Sequence, residues 1–382
     1  MRKKAFISVG EVSGDMYGAQ LVKRLPEFEW VGITGSNLEK LNVKSIENIE
    51  NISVVGLTEV IPKYRNIKIA LKKAIEELDK GVDLLIVIDF PGFNLKLLKE
   101  AKKRGIKTVY FIAPQVWAWG KGRVSKIVEN TDLLISIFPF EKNFYKEYIG
   151  KNFKFLYLGH PLLDIVKTKE TEDSFKNKLG INKSRKIFGL LAGSRESEVK
   201  VLLPILLKTA SLLHKVEKSL YFVIPSTDNQ LKNVLSVVKN FSKLPVKVIT
   251  KKDFTYPSYE VMEKSVFSLI ASGTATLEAS IIGKPFALVY KVSPLTFWIG
   301  KKLVSVKYLG LPNIISGKEV IKEFLQEDCN PVNLANYSLK VLSNSDIYLE
   351  LQENLKTVKS KLGEKGTLDR VANAIRKFSK VK

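Results

Sequence analysis

The chain has 382 residues, 45% hydrophobic and 26% charged, with 62 Lys and Arg against 39 Asp and Glu for a formal net charge of +23. That length exceeds one comfortable core, so two domains are expected, and the positive charge implies an anionic partner: phosphorylated substrates, an acidic membrane surface or nucleic acid. The single cysteine, Cys329, excludes an internal disulfide and, with only His160 and His214 beside it, a structural zinc site.

The N-terminus, MRKKAFISVGEVSGD, begins like a signal peptide, but its apolar run breaks at Glu11, too short for such a core. The most apolar long window, Phe267–Pro285, is interrupted by Glu278, Lys284 and a Gly/Ser/Thr centre. No membrane span is expected, and a cytoplasmic protein is. Only nine of the basic residues are arginine, with no arginine-rich cluster and no nucleic-acid motif, so nucleic acid is not an expected partner.

Strands are expected at Ala5–Val9, Val31–Thr34, Leu84–Ile88, Thr108–Ile112, Leu133–Ile137 and Phe155–Leu158, then at Ile187–Leu191, Tyr221–Ile224, Val246–Ile249, Phe267–Ala271 and Phe286–Val289. Helix-length stretches such as Ile67–Lys80, Leu95–Arg104, Val199–Lys215 and Asn229–Phe241 separate them. This alternation means an α/β protein, with parallel sheets covered by helices on both faces. We expect two Rossmann-like domains facing each other across a cleft. The first covers residues 1–166, a lysine-rich linker 167–186, the second domain 187–344, and a helical tail at 345–382 packs back on the first.

In doubly wound sheets ligands sit beyond the carboxyl ends of strands, so the residues following each strand carry the information. After the first strand, GEVSGDMYGA (Gly10–Ala19) can present amides and polar side chains, or be a plain glycine-rich turn; it is neither GxGxxG nor a Walker loop. Over Val54–Leu71, the residues Val60, Tyr64, Ile67 and Leu71 share a helical face among Lys63, Arg65, Lys68, Lys72 and Lys73. Such a stripe suits a membrane interface or an ordinary core. In IDFPGFN, Asp89 ends a strand before a Pro-Gly turn, placed to act as a general base or to brace the turn. APQVWAWGKGRVSKI (Ala113–Ile127) sets Trp117 and Trp119 beside Lys121 and Arg123; tryptophan stacks on a sugar or anchors a core, and Arg123 suits a phosphate. His160, in GHPLLD, reads as a structural hinge.

In the second half, AGSRESEV opens the backbone at Gly193 and Ser194, supplies the fork of Arg195, and starts a helix near Glu198. The alternative for Arg195 is an ion pair with Glu196 or Glu198. FSLIASGTATLEASIIGKP reads as a strand, a small-residue turn at Ser272–Thr276, and a helix with Glu278 in its first turn. Amides at that helix start attract phosphate, and a carboxylate one turn on suits a ribose; the plain alternative is a helix N-capped by Ser272 or Thr274. Two such loops suggest one nucleotide diphosphate. Asn313, in a Leu-Pro-Asn turn, either bonds a base or sugar or holds its own turn.

Together, GEVSGDMYGA, VVGLTEV, IDFPGFN, APQVWAW with Arg123, FPFEKNFY, GHPLLD, LAGSRESEV, ASGTATLEA, TFWIGKKLV, LPNII and EFLQED resemble the lipid-A-disaccharide synthase family, glycosyltransferases that join two acylated glucosamine units. The segments keep the family's order; Ala192 stands where proline is expected, and Gly120 where a bulkier residue is. The resemblance implies a GT-B fold and a UDP-2,3-diacylglucosamine donor. It implies 2,3-diacylglucosamine 1-phosphate as acceptor, and a β-1,6-linked disaccharide 1-phosphate and UDP as products. It also implies peripheral association with the inner face of the cytoplasmic membrane, an anionic surface, and no required metal or other cofactor. A homodimer stays open. Asp89 matches the family's general base. The loop chemistry and the resemblance together assign the donor to Gly193, Ser194, Arg195, Glu198, Ser272, Gly273, Thr274, Ala275, Thr276, Glu278 and Asn313. They assign the acceptor to Glu11, Ser13, Gly14, Asp15, Trp117 and Arg123. Membrane contact falls to Val55, Leu57, Val60, Ile61, Tyr64 and Ile67, with Phe297–Val304 as a second lipid-facing stretch. The rival readings are another UDP-N-acetylglucosamine enzyme of this fold, a transferase or 2-epimerase, and a basic nucleic-acid-binding protein.

Overall fold

The computed structural model describes residues 3–52, 57–117, 121–150, 152–293, 297 and 307–380. The chain divides into two units, Met1–Asp164 with Leu362–Lys382, and Ile165–Lys361.

The first unit holds strands β1 (Lys3–Ser8), β2 (Phe28–Thr34), β3 (Lys44–Asn48), β4 (Leu84–Ile88), β5 (Lys107–Phe111), β6 (Leu133–Ser136) and β7 (Lys154–Tyr157). They form one parallel sheet in the order β3-β2-β1-β4-β5-β6-β7. Every residue of β4, LLIVI, is buried, as a strand covered by helices on both faces requires. At the edge, KSIEN of β3 has no fully buried residue, and its polarity kept it out of the expected strands. The last helix, Thr367–Ser379, completes this unit. It buries Leu368, Val371, Ala372 and Ile375. The Asp164 carboxylate accepts the amides of Gly366 at 2.6 Å and Leu368 at 2.7 Å, capping the helix start. Arg370 donates to the Leu158 carbonyl and Arg376 to Glu27.

The second unit holds β8 (Lys186–Leu191), β9 (Leu220–Pro225), β10 (Val246–Ile249), β11 (Ser265–Ala271), β12 (Phe286–Tyr290) and β13 (Glu323–Leu325). They are parallel, in the order β10-β9-β8-β11-β12-β13. On one face the Glu196–Val216 helix packs Leu203, Leu206, Leu207 and Ala210 into a core around Phe188, Phe222 and Phe267. Phe175, Met262, Ile270 and Leu288 fill the other face. The short edge strand β13 was not among the expected strands.

Two expected boundaries move. Residues 167–186 are no plain linker: they contain the helix Glu172–Leu179, capped by the Thr171 hydroxyl, whose Phe175 is buried against Phe254 at 4.9 Å. The tail also divides. Ser345–Lys361 buries Leu351, Leu355 and Val358 and stays with the second unit, and only the final helix belongs to the first. No helix among the described residues is long and apolar enough to cross a membrane.

Each sheet reverses its winding once, between β1 and β4 in the first unit and between β8 and β11 in the second. These switch points are where ligands enter open α/β sheets. The four loops following those strands are the glycine-containing loops singled out above.

Candidate active site

In the first unit, β1 runs into the Glu11 loop and β4 into Asp89. The two strands are direct neighbours. Asp89 and Phe90 both take left-handed backbone conformations, φ 49° and 50°, unusual for residues with side chains. The close approach of these loops explains Gly10: a Cβ there would lie 2.1 Å from Cγ of Phe90. Asp89 is half-buried, and its carboxyl is raised to about 6, first by burial and then by the Glu11 charge, with the Phe90 amide opposing. A carboxylate with that affinity is matched to accepting a proton near neutral pH. Burial and Asp89 keep the buried Tyr110 hydroxyl un-ionised, against the opposing charge of Arg123, which is half-buried at the start of the Val124–Asn130 helix. The loops thus bring Glu11 to Asp89, and Asp89 and Arg123 to Tyr110.

Two expected acceptor contacts are corrected. Asp15 is buried, and its carboxylate accepts the amides of Gly35 and Asn37 at 2.8 Å and Leu38 at 3.2 Å. It fills the anion position at the start of the next helical turn, so it has no capacity left for a sugar. Gly35 lacks a Cβ because one would lie 2.6 Å from Cγ of Asp15. Trp117 is buried too, edge-on to Phe138 and Phe140, with its Nε1–H donating to Glu141 at 3.1 Å. It anchors its loop and does not stack on a ligand. Ser13 is half-buried and Gly14 buried in the first turn of the Val12–Arg24 helix, directly after the exposed Glu11. Trp119 and Gly120 lie outside the described residues. His160 is buried and neutral, lowered to about 3 by burial, and its Nδ1 accepts the Leu162 amide at 3.1 Å.

In the second unit, β8 and β11 pair with Leu191 opposite Ile270, so the loops 192–195 and 272–276 emerge side by side. Gly193, Ser194 and Arg195 are exposed, with Gly193 at φ 99°. Glu198 differs from expectation. It closes a capping box in which its Oε2 accepts the amides of Ser194 at 3.2 Å and Arg195 at 3.3 Å, while Arg195 Nη1 donates to Oε1 at 3.1 Å. A Cβ on Gly193 would meet that Oε2 at 2.2 Å. The carboxylate therefore sits on the amides expected to hold a phosphate, and an incoming anion must displace it. Glu198→Gln keeps the cap and removes the competing charge, so UDP is expected to bind about threefold tighter in a calorimetric titration.

The Thr274–Ile282 helix begins at Gly273, φ 142°, with no side chain capping it. The Thr276 amide and hydroxyl go to the Gly273 carbonyl at 3.1 and 2.8 Å, and the Ser272 amide to Val289. Thr276 thus holds its own turn. Among the described residues, this leaves Gly273, Thr274 and Ala275 as the amides open to an anion. Glu278 follows one turn later, half-buried, raised by burial and bonded by the Tyr259 hydroxyl at 2.9 Å. Asn313 is corrected outright. It is fully buried, its Oδ1 accepts the amides of Val320 and Ile321 at 2.7 and 3.0 Å, and its Nδ2 donates to Ile321 O and Glu323. Every bond it can make ties its own turn to β13.

Three residues at these sites escaped the sequence reading. Tyr290, at the end of β12, feels both Glu198 and Arg195. Glu141 is buried and raised to about 7 by burial, despite donors from Ser136, Trp117 and the Phe138 amide. Gln326 is buried and brackets Val292 with bonds to its amide and carbonyl. Only the last two had a signal, as parts of FPFEKNFY and EFLQED.

Of the membrane-facing set, Val55 lies outside the described residues, and so do the side chains of Leu57, Val60 and Ile61. Within the Leu57–Leu78 helix, Ala70, Ala74 and Leu78 face inward, Tyr64 and Ile69 are exposed, and Ile67 is half-buried. Of Phe297–Val304, only Phe297 is described.

A family model described as lipid-A-disaccharide synthetase matches residues 5–376. The chain is 62% identical over 377 residues to lipid-A-disaccharide synthase of Persephonella marina, covering 99% of each chain. It is 58% identical over 381 residues to the enzyme of that name from Sulfurihydrogenibium sp., covering 98% of each. Among solved structures, UDP-GlcNAc 2-epimerase from Neisseria meningitidis bound to UDP-GlcNAc aligns with a TM-score of 0.65 at 15% identity, over 98% of this chain and 100% of that one. That likeness concerns the fold, and it bears out the expected pair of Rossmann-like units.

Proposed function

This chain belongs to the lipid-A-disaccharide synthase family of glycosyltransferases, and we propose that it joins UDP-2,3-diacylglucosamine to 2,3-diacylglucosamine 1-phosphate, giving the β-1,6-linked disaccharide 1-phosphate and UDP. The observation carrying the assignment of roles is that both switch points bear the expected chemistry: a carboxyl poised near neutrality in the first unit and paired amide-rich loops in the second. Asp89 takes the proton of the acceptor's 6-hydroxyl as that oxygen attacks the donor's anomeric carbon. Attack from the face opposite the leaving group inverts that carbon. UDP leaves as charge builds on its diphosphate, which Arg195 and the amides of Ser194 and Gly273–Ala275 receive. Glu278 reaches the ribose. Arg123 meets the acceptor's 1-phosphate through its guanidinium fork.

Both sugars carry acyl chains, so the enzyme works on lipid presented at the inner face of the cytoplasmic membrane. The exposed Tyr64 and Ile69, with Lys68 over the Tyr64 ring at 4.7 Å, supply an apolar and basic contact for it. The double substitution Tyr64→Glu and Ile69→Glu is expected to lower partition onto anionic vesicles about tenfold and to leave the thermal midpoint near wild type. Co-sedimentation equal to wild type would remove this contact.

The deciding experiment supplies purified donor and acceptor in vesicles and follows UDP release and disaccharide formation. Absence of both products overturns the reading. Conversion of a UDP-sugar without acceptor would move the chain to the epimerase chemistry of its fold neighbour.

A further inference from the structure

The backbone around Asp89 is held in place by more than its own loop. Asp89 and Phe90 are left-handed, and so is Ile112, φ 59°, at the end of neighbouring β5. The Asp89 amide donates to the Ile112 carbonyl at 3.1 Å, linking the two strained strand ends. Such conformations persist in residues with side chains only where the surroundings over-determine them. Here two buried donors converge on one atom, the Asp89 carbonyl oxygen. The Tyr110 hydroxyl reaches it at 2.9 Å and the Asn94 Nδ2 at 2.7 Å. Asn94 also donates to Ile88 O at 3.3 Å, and its Oδ1 accepts the Ser8 hydroxyl at 2.6 Å, which fixes the amide's orientation. Ser8, Asn94 and Tyr110 come from three different elements, and each is fully buried.

We propose that Tyr110 and Asn94, the latter oriented by Ser8, are positioning residues that clamp the Asp89 carbonyl and so hold the left-handed turn from which its carboxyl meets the acceptor hydroxyl. The proposal rests on Asp89 being the base. Neither donor touches the carboxyl, so the clamp acts on geometry and not on proton affinity. The charged and titratable groups facing Asp89 are Glu11 from the loop after β1 and Tyr110 itself, and Arg123 acts on Tyr110. The Tyr110 hydroxyl stays un-ionised throughout any assay range, so its removal changes no charge.

The test compares wild type, Tyr110→Phe, Ser8→Ala and Asp89→Asn for kcat, acceptor KM, UDP affinity and the pH profile of kcat. In Tyr110→Phe, kcat is expected to fall about tenfold, with acceptor KM and UDP affinity within about twofold of wild type. The plateau drops and the midpoint of the acid limb stays where it was. Ser8→Ala is expected to fall about threefold by loosening Asn94, and it carries the test if the tyrosine variant folds poorly. Wild-type kcat in both, beside an inactive Asp89→Asn, overturns the clamp and leaves the base in place. A parallel change in kcat and KM with a lowered thermal midpoint also overturns it, because that marks a merely structural role. Wild-type turnover in Asp89→Asn is a different failure, that of the base itself.

Discussion

Asp89→Asn is expected to lower kcat by about 100- to 1,000-fold while UDP affinity stays at its wild-type value. The asparagine keeps the shape of the side chain and loses the capacity to take a proton. Its backbone carbonyl still receives Tyr110 and Asn94, so the turn survives. The donor loops lie in the other unit and are untouched. The pH profile supplies an independent check. Burial, then Glu11, raises this carboxyl to about 6, and a base must be deprotonated to act. Wild-type kcat should therefore rise through about pH 6 and be lost below it. A carboxyl at the ordinary aspartate value of about 3.9 would keep kcat flat down to pH ~5. Wild-type turnover in the variant, or a flat profile, would show that the proton goes elsewhere.

Arg195→Ala is the second large effect: kcat/KM for the UDP-sugar should fall about 100-fold with little change in thermal midpoint. The asymmetry follows from where the side chain sits. Arg195 is exposed, and its ion pair with Glu198 is a surface pair of the kind that contributes little to stability. A leaving diphosphate, by contrast, gains charge in the transition state and needs a two-pronged donor beside the loop amides. Arg195→Lys should recover only part of the loss, since an ammonium is a point charge without the fork. Donor kinetics equal to wild type would reduce Arg195 to its ion pair.

The interior strands could be read from the residues because strands buried on both faces are written as apolar runs. LLIVI of β4 and FALVY of β12 are examples. Of the edge strands, β7 and β10 were legible in the same way, but β3 and β13 were not. KSIEN and EFL have a partner on one side only, and polar side chains are tolerated there. The site loops were legible as loops, because glycine and small residues between a strand and a helix leave amides accessible. What the letters did not reveal was the direction each polar group takes. Asp15, Glu198 and Asn313 look like ligand contacts by type and position. All three spend their capacity on nearby backbone, and that is visible only once the amides of Gly35, Ser194 and Val320 are located. Residues 167–186 misled for a related reason: a short helix presenting chiefly Phe175 and Leu179 inward is polar everywhere else.

The Thr367–Ser379 helix, which completes the first unit, has a consequence for how the protein is made. The second unit is one continuous stretch of chain, and all of its residues leave the ribosome together. The first is interrupted: its last strand ends at Tyr157, but the helix that packs on the Val12–Arg24 helix and carries the partners of Asp164 and Glu27 follows only after the whole second unit. Until that helix has been made, the Val12–Arg24 helix lacks this cover. The unit that carries Asp89, although it begins first, is therefore completed only after the unit that carries Arg195.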